Sequence, residues 1–483
     1  MSRGATRRRG RLAAGLTALA LGAGLLAGPV VTGTLPPAQA AATDRIDVPA
    51  DGVVPLLGHG YGHGRGLSQY GAYGAATTGA TSAQILDFYY AGTTSVRAAP
   101  WGIKVRITNG GSELKVLPDA GLAVHDLATG AGGVLPAGPA AWRIVRSGTG
   151  YGVHFQNPDG SWQPYTVDGR QVFAGPVQFS GPAIVRLVRS GDVRGFRGSL
   201  VGVADGTGLA TVNNLSVQDY LRGVVPREMP SSWPAAALEA QTIAARTYAL
   251  AKVERKPAGQ YWDICDTTAC QVYGGARTWV NGSLTTSEAA STDAAIAATD
   301  GLVRQSGGRT ILSEFSSSNG GWTADGGTSY TLPREDPWDG IVRSAAHSWS
   351  ASITRAQLQA AFPAVGTVRS LEVTARDGRG EWGGRVLSVV LRGVDSAGRV
   401  TAVTVTGNQM RSAGGLRSNW FTFDVPMSAI DARYSGDPGV REALGAEVGE
   451  ERFGDGYAWR EYQRGRLYWS SATGVRLVRG DIL

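Results

Sequence analysis

The chain has 483 residues, of which 42% are hydrophobic and 18% charged, enough to bury more than one core, and it carries a formal net charge of +7. Five arginines and no acids fall in the first 40 residues, so the remainder stands near +2, and no basic patch with interleaved aromatics marks a nucleic-acid surface. The 70 glycines follow no collagen-like period; they read as tight turns in a β-rich protein and as places where a ligand nears the backbone.

Residues 1–40 read as a signal peptide. Arg7, Arg8, Arg9 and Arg11 form a basic start, Leu12 to Val31 is apolar and uncharged, and Ala38-Gln39-Ala40 is a small-residue cleavage signal. The apolar stretch nearly reaches the length of a bilayer span, so a retained anchor is the competing reading. Either way the chain is expected to be exported, and cleavage of the leader would make it secreted. In that setting the two cysteines, Cys265 and Cys270, are expected to form a disulfide. Two cysteines without a neighbouring histidine do not close a four-ligand zinc site, so neither metal nor cofactor is expected.

Residues 41–96 hold the run Gly58-His-Gly-Tyr-Gly-His-Gly-Arg-Gly-Leu-Ser-Gln-Tyr-Gly-Ala-Tyr-Gly74. Its start is too glycine-rich for a helix, which leaves His59 and His63 free to face a ligand. Residues 97–200 predict a β-rich subdomain, from the alternation in Ile103 to Ile107, Leu114 to Leu117 and Ile184 to Val188 and the glycine turns between them. Residues 201–431 form the core region, with a long helix from Pro234 to Lys252, an Ala-rich helix over Ser287 to Ala298, and strands over Val386 to Leu391 and Val400 to Val405. Asp431 to Pro438 reads as a linker before a C-terminal unit at 436–483.

Glu228 is the candidate general acid. Leu221 to Val225 reads as a short strand ending at Pro226; Glu228 follows, Pro230 comes next, and Pro234 opens the long helix. Prolines on both sides fix the backbone. Val224, Val225, Met229 and Trp233 lie near it in sequence, and apolar surroundings raise a carboxyl pKa toward that of an acid at neutral pH. On the helix, Gln241 and Arg246 lie about 140° apart, so Gln241 is placed in the cleft and Arg246 is read as structural, paired with an acid. Ser316 to Gly321 is a run of small polar residues, of which Ser317, Ser318 and Asn319 are candidate ligand contacts through hydroxyl and backbone N–H groups. Tyr273 and Trp322 are candidates for stacking on a ligand ring.

Several of these segments together resemble the SpoIID/LytB family. They are Leu221-Arg-Gly-Val-Val-Pro-Arg-Glu-Met229, the Ala-Ala-Arg-Thr-Tyr helix, Cys265 to Gly274, Phe315 to Thr323, Asp336-Pro-Trp338, Gly407-Asn-Gln-Met-Arg411 and Asn419 to Thr422. The resemblance implies an α+β, β-rich SpoIID-like catalytic domain with a central buried helix. It implies a peptidoglycan lytic transglycosylase that cuts glycan strands without water, with Glu228 as its acid/base. Some relatives bind zinc at the cysteine motif, but a histidine common there is Ala269 here. The family's Gly-His-Gly block, which ends in Ser-Gln, usually follows the Gly-Asn-x-x-Arg segment. Here it precedes everything else, which suggests a circular permutation and adds His59, His63 and Gln69 to the site. The last residues, with Phe453 to Tyr457, Gly465 to Ser470 and Thr473 to Leu483, resemble one LGFP repeat, a wall-binding module. Expected partners are glycan strands, the wall through that repeat, and other wall hydrolases. The rival readings are a non-catalytic wall-binding amidase enhancer and a structural envelope protein.

Overall fold

The computed structural model describes residues 44–109, 112–181, 183–424, 429–449, 451–454, 457–470 and 472–479. The signal-peptide expectation falls on residues 1–40 and lies outside them. The fold is mixed α+β and β-rich, 23% helix against 38% strand. No helix among the described residues is long and apolar enough to cross a membrane.

A seven-stranded sheet runs in the order Ile264–Cys265, Gly102–Ile107, Gly208–Ser216, Ser199–Asp205, Val177–Ser180, Ala123–Asp126, Gly132–Val134. It shares one apolar core with a second, nine-stranded sheet that includes Ala141–Ser147, Gly150–Gln156 and Val185–Val188. Alternation explains both: in Gly102–Ile107, Ile103, Val105 and Ile107 are buried while Lys104 and Arg106 are not. The 97–200 boundary does not hold as drawn. Arg277–Val280 pairs with Val193–Phe196, and Gly208–Ser216 pairs with Gly102–Ile107, so the β-rich region and the core region build these sheets jointly.

A second core lies under a four-stranded sheet of Arg45–Asp47, Thr367–Arg376, Val386–Val394 and Val400–Thr406. It takes in a smaller sheet in which Val53–His59 sits between Ser348–Thr354 and Trp420–Phe423. Leu56 stands opposite Phe423 and His59 opposite Trp420. Segments from the two ends of the sequence are therefore hydrogen-bonded neighbours.

The third core is helical. The helices Gln69–Thr77 and Ser82–Tyr89 pack on Ala235–Glu254. The last of these is buried on every side from Ala240 to Ala249. Only a helix rich in alanine can be enclosed so closely, since neighbours approach its backbone without displacing large side chains.

Three readings are corrected. Leu221 to Val225 is not a strand; it lies inside the helix Val217–Glu228, whose buried residues Val217, Tyr220, Leu221, Val224 and Val225 recur at helical spacing. Pro226 is tolerated within that helix, where its missing N–H removes one bond near the C-terminal end. The Ser287 to Ala298 helix begins at Ala290. The proposed linker is helix: Ala429–Gly436 and Pro438–Leu444 contribute Ile430, Val440 and Leu444 to a separate core with Ala458, Tyr462 and Leu467 of a four-stranded C-terminal sheet.

Candidate active site

Glu228 is the last residue of the Val217–Glu228 helix, and Met229 already has extended backbone. A carboxylate here meets the negative end of the helix dipole. The helix is held by close contact at Gly223, where an added Cβ would stand 2.5 Å from the Tyr273 ring. The Glu228 side chain is partly buried. Its Oε1 accepts a hydrogen bond from the Val272 N–H at 2.9 Å and its Oε2 accepts one from Gln69 Nε2 at 3.3 Å. Gln69 Nε2 also reaches Gln241 Oε1 at 3.4 Å, so one amide bridges the candidate acid and the buried helix. Burial pushes the Glu228 carboxyl above the usual carboxylate range, and the two hydrogen bonds only partly oppose it. Gln241 is fully buried, with no partner for its own Nε2 among the described residues.

Gln271 ties the surrounding chain together. Its Oε1 accepts from Tyr220 Oη at 2.9 Å and its Nε2 donates to the Ala245 carbonyl at 3.3 Å, joining the Glu228 helix to the Gln241 helix. The structure pairs Cys265 with Cys270 in a disulfide just ahead of this residue and of Val272. Trp233 stacks on Tyr73 with ring centroids 4.6 Å apart and meets Tyr70, the neighbour of Gln69, edge-on at 5.0 Å; all three are partly exposed.

Gln69 owes its position to a second cluster. Ser68 caps the Gln69–Thr77 helix, accepting from the Gly71 N–H, and donates to Asp339 Oδ2 at 2.8 Å. Asp339 is buried and also accepts from Ser318 Oγ, the Asn319 and Gly320 N–H groups and His347 Nδ1. Burial alone would raise its pKa, but the bonds from His347, Ser68 and Ser318 outweigh that and hold it below the carboxylate range. The hydrogen bond to Asp339 in turn raises the His347 pKa. Asp336 accepts from Tyr89 Oη and Asn319 Nδ2, both at 2.6 Å. A Cβ at Gly71 would overlap Tyr89 Oη and stand 2.7 Å from Asp336 Oδ2, so the glycine of Gln69-Tyr70-Gly71 makes room for this hydrogen-bonded pair.

Of the residues expected at the site, the structure brings Gln69 to Glu228 and Gln241 to Gln69. It does not bring Tyr273, Ser318 or Asn319. Tyr273 is buried, donates to Asn213 Oδ1 at 2.7 Å and packs on Tyr220, so it has no free face for a sugar. Ser318 and Asn319 are fully buried and spend their polar groups on Asp339 and Asp336. Ser317 is partly exposed, and its carbonyl accepts from the Tyr70 N–H. The hydrogen bonds to Glu228 come from Val272 and Gln69, and among the described residues neither histidine of the glycine-rich run makes one. His59 is enclosed: Nε2 bonds Glu381 at 2.8 Å, Nδ1 bonds Ser348 Oγ at 3.2 Å and the ring stacks on Trp382 at 4.5 Å. His63 accepts the Arg65 N–H at Nδ1 and lines a different pocket. Arg246 is buried and caps the Ala290–Ala298 helix through the Ile296 and Thr299 carbonyls, so its partners are carbonyls and Gln218 rather than an acid. Among the described residues no group of three or more His, Cys, Asp or Glu side chains could share a metal ion.

Sequence reasoning missed Asp339, His347, Val272, Tyr70 and Tyr73. Asp336 opens the quoted Asp-Pro-Trp motif and Asp339 directly follows it, and that spacing of two acids around a proline and a tryptophan was the available signal.

The family model for stage II sporulation protein (SpoIID) matches residues 205–305, and that for the LGFP repeat matches residues 444–483. The chain is 35% identical to a Bacillus subtilis protein called amidase enhancer over 144 residues, 29% of this chain and 17% of that one. It is 40% identical to an uncharacterized protein of Brachyspira hyodysenteriae over 80 residues, 17% of this chain and 22% of that one. The chain thus spans about a fifth of the length of these relatives. No solved structure matches it. The chain thus carries a SpoIID domain over residues 205–305 and an LGFP repeat over residues 444–483.

Proposed function

We propose that this chain is an exported lytic transglycosylase of peptidoglycan, held at the wall by its LGFP repeat, with Glu228 as the general acid and base. The observation that carries the proposal is the state of Glu228: a carboxyl raised by burial, steadied by one backbone N–H and one amide, with Gln241 beside that amide. The SpoIID domain and the match to an amidase enhancer support a role at the cell wall.

Protonated Glu228 gives its proton to the glycosidic oxygen between N-acetylmuramic acid and N-acetylglucosamine as the C1–O bond breaks. The muramic O6 attacks C1, and the Glu228 carboxylate takes the O6 proton. A 1,6-anhydro ring forms, no water is consumed and the acid is regenerated, so a second carboxylate is unnecessary. The partly exposed Tyr70, Tyr73 and Trp233 offer apolar faces on which pyranose rings can lie. The pairing of Leu56 with Phe423 supports reading residues 41–96 as a permuted piece of the catalytic domain, since a transplanted strand keeps its hydrogen-bonding partners.

The test is digestion of purified glycan strands followed by mass spectrometry for 1,6-anhydromuramic ends. The native protein releases them, and Glu228→Gln, which keeps shape but holds no acidic proton, lowers the rate at least ~10²-fold while glycan binding survives. Native rates in that variant remove Glu228 from the role. The second reading, a wall-binding enhancer of a separate amidase, is favoured by the name of the Bacillus relative. It predicts no anhydro ends from the native protein and stimulation of an added amidase.

A further inference from the structure

The glycine-rich run that supplies Gln69 also builds a second site, six residues earlier in the chain. Tyr61 and His63 form one wall of a pocket of about 520 Å³, whose other wall comes from Asn408, Arg411 and Ser412 of the Gly407–Gly414 helix and from Arg417 beyond it. The run is fixed there by backbone bonds: the Tyr61 N–H to the Ser318 carbonyl, the return bond from the Ser318 N–H, and the Gly62 N–H to the Arg417 carbonyl.

The pocket has cationic and donor groups and no carboxylate in its lining. Arg411 is partly buried, and its one recorded side-chain bond is from Nε to the Leu416 carbonyl at 3.4 Å; it forms no ion pair among the described residues. Arg417 donates to the Ala345 carbonyl and lies over the Tyr61 ring at 5.7 Å, again with no acid among the described residues. The acid that acts on this region, Glu314, is already held by two bonds from Arg65, at 2.9 and 2.6 Å. Arg385 is directed elsewhere, to Asn419 Oδ1 and the Asn319 carbonyl. Burial first, then the positive charge of Arg65, Arg385 and Arg411, holds the His63 pKa at about 4. Its imidazole is therefore neutral, and since Nδ1 accepts the Arg65 N–H, Nε2 carries the hydrogen.

A partly buried guanidinium without a counter-charge loses hydration and gains nothing in return. An oxyanion supplies what is missing, because its oxygens match the arginine fork and accept from neutral N–H and O–H donors. We propose that this pocket binds an oxyanion, a carboxylate or a phosphate. Arg411 and Arg417 are its charge partners, and His63 Nε2, Asn408 and Ser412 are further donors. If the chain acts on peptidoglycan, the muramic lactyl carboxylate or a stem-peptide carboxylate is the ligand group, and the pocket fixes where the strand lies; that last step rests on the proposed function, while the oxyanion site does not.

The experiment is titration of the purified protein with N-acetylmuramic acid, N-acetylglucosamine and inorganic phosphate, at low and high ionic strength. The two sugars differ in the lactyl carboxylate, so binding of the first and not the second supports the site and names a carboxylate. Binding of phosphate with neither sugar supports it and names a phosphate. Arg411→Ala with Arg417→Ala weakens the charged probe ~10-fold or more. Ser412→Glu, at an exposed position that removes no recorded contact, abolishes binding by placing a negative charge in the pocket. Absence of binding by both charged probes overturns the proposal, as does unchanged binding in both variants. Glu228→Gln binds like the native protein, so a failed glycan digestion and a failed pocket are read separately.

Discussion

At Glu228 the chain surrounds a carboxyl with one backbone N–H and one amide. At Asp339, reached through the adjacent Ser68, it surrounds another with two hydroxyls, two backbone N–H groups and an imidazole. Both are withdrawn from water, and the shifts run opposite ways, upward at Glu228 and downward at Asp339. Burial penalises each charge, and the number of donors decides which effect wins. Few donors leave a group able to hold and release a proton. Many donors make a permanent anion around which the loops of three segments, 68–71, 318–320 and 347, are organised. On the proposed function, acid chemistry and scaffolding are thus separated between two carboxyls linked by the dipeptide Ser68-Gln69.

The largest effect expected from breaking this contrast is in Asp339→Asn, which leaves donors facing a group that also donates. Loss of about 3 kcal/mol of stability is expected at neutral pH, as for other broken buried pairs. The sign with pH follows from the depressed folded pKa: the contribution is present above the unfolded value and disappears as pH falls through the folded one. Glu228→Gln runs the other way. With a raised folded pKa, the native stability contribution is full below the unfolded value and is lost as pH rises through the folded one, so the glutamine variant is the more stable protein near neutrality and the gap closes in acid. Denaturant melts of both variants across pH check the pair; the same sign in both would remove the distinction.

The sequence showed one of these carboxyls and not the other. Glu228 was legible from the prolines on both sides of it, Gln241 from its place on the long helix, and Gln69 from the family resemblance of the glycine-rich run. Ser318 and Asn319 were misread for a physical cause: a run of small polar residues looks the same whether it faces a sugar or satisfies a buried anion. Tyr273 failed similarly, since a buried tyrosine with a partner for its hydroxyl and a stacking tyrosine share one letter. The Leu221 to Val225 strand was a misjudged period; its two valines and a proline suggested β structure, although the apolar spacing from Val217 onward was helical. The sheets were better anticipated than their grouping, because alternation marks strands while pairing across a hundred residues leaves no local trace.

A smaller effect sharpens the contrast from the other side. The disulfide closes the short loop that precedes Val272, whose N–H is one of the two donors to Glu228. Replacing both cysteines by serine is expected to lose about 2 kcal/mol, the chain-entropy value for a loop of roughly six residues. Denaturant melts measure it. If the loop loosens, the Glu228 pKa also rises, and the activity profile reports that apart from stability.

The smallest effect isolates a single donor. Gln69 Nε2 is the side-chain bond to Glu228, and it favours the charged form. Gln69→Leu keeps bulk and removes that bond, so the Glu228 pKa rises further. A general acid works only while protonated, and its activity is lost as pH climbs through its pKa. The alkaline limb of kcat/KM for glycan cleavage is therefore expected to move to higher pH, by less than about one unit, since a single weak neutral bond contributes about 1 kcal/mol. The rate at the optimum falls by about tenfold or less, because Val272 still holds the carboxyl. A change in folding alone would lower the rate without moving the limb. An unmoved limb with a lower rate would therefore make Gln69 a packing residue, whereas a limb displaced upward ties the glycine-rich run at residues 58–74 directly to the proton that cleaves the strand.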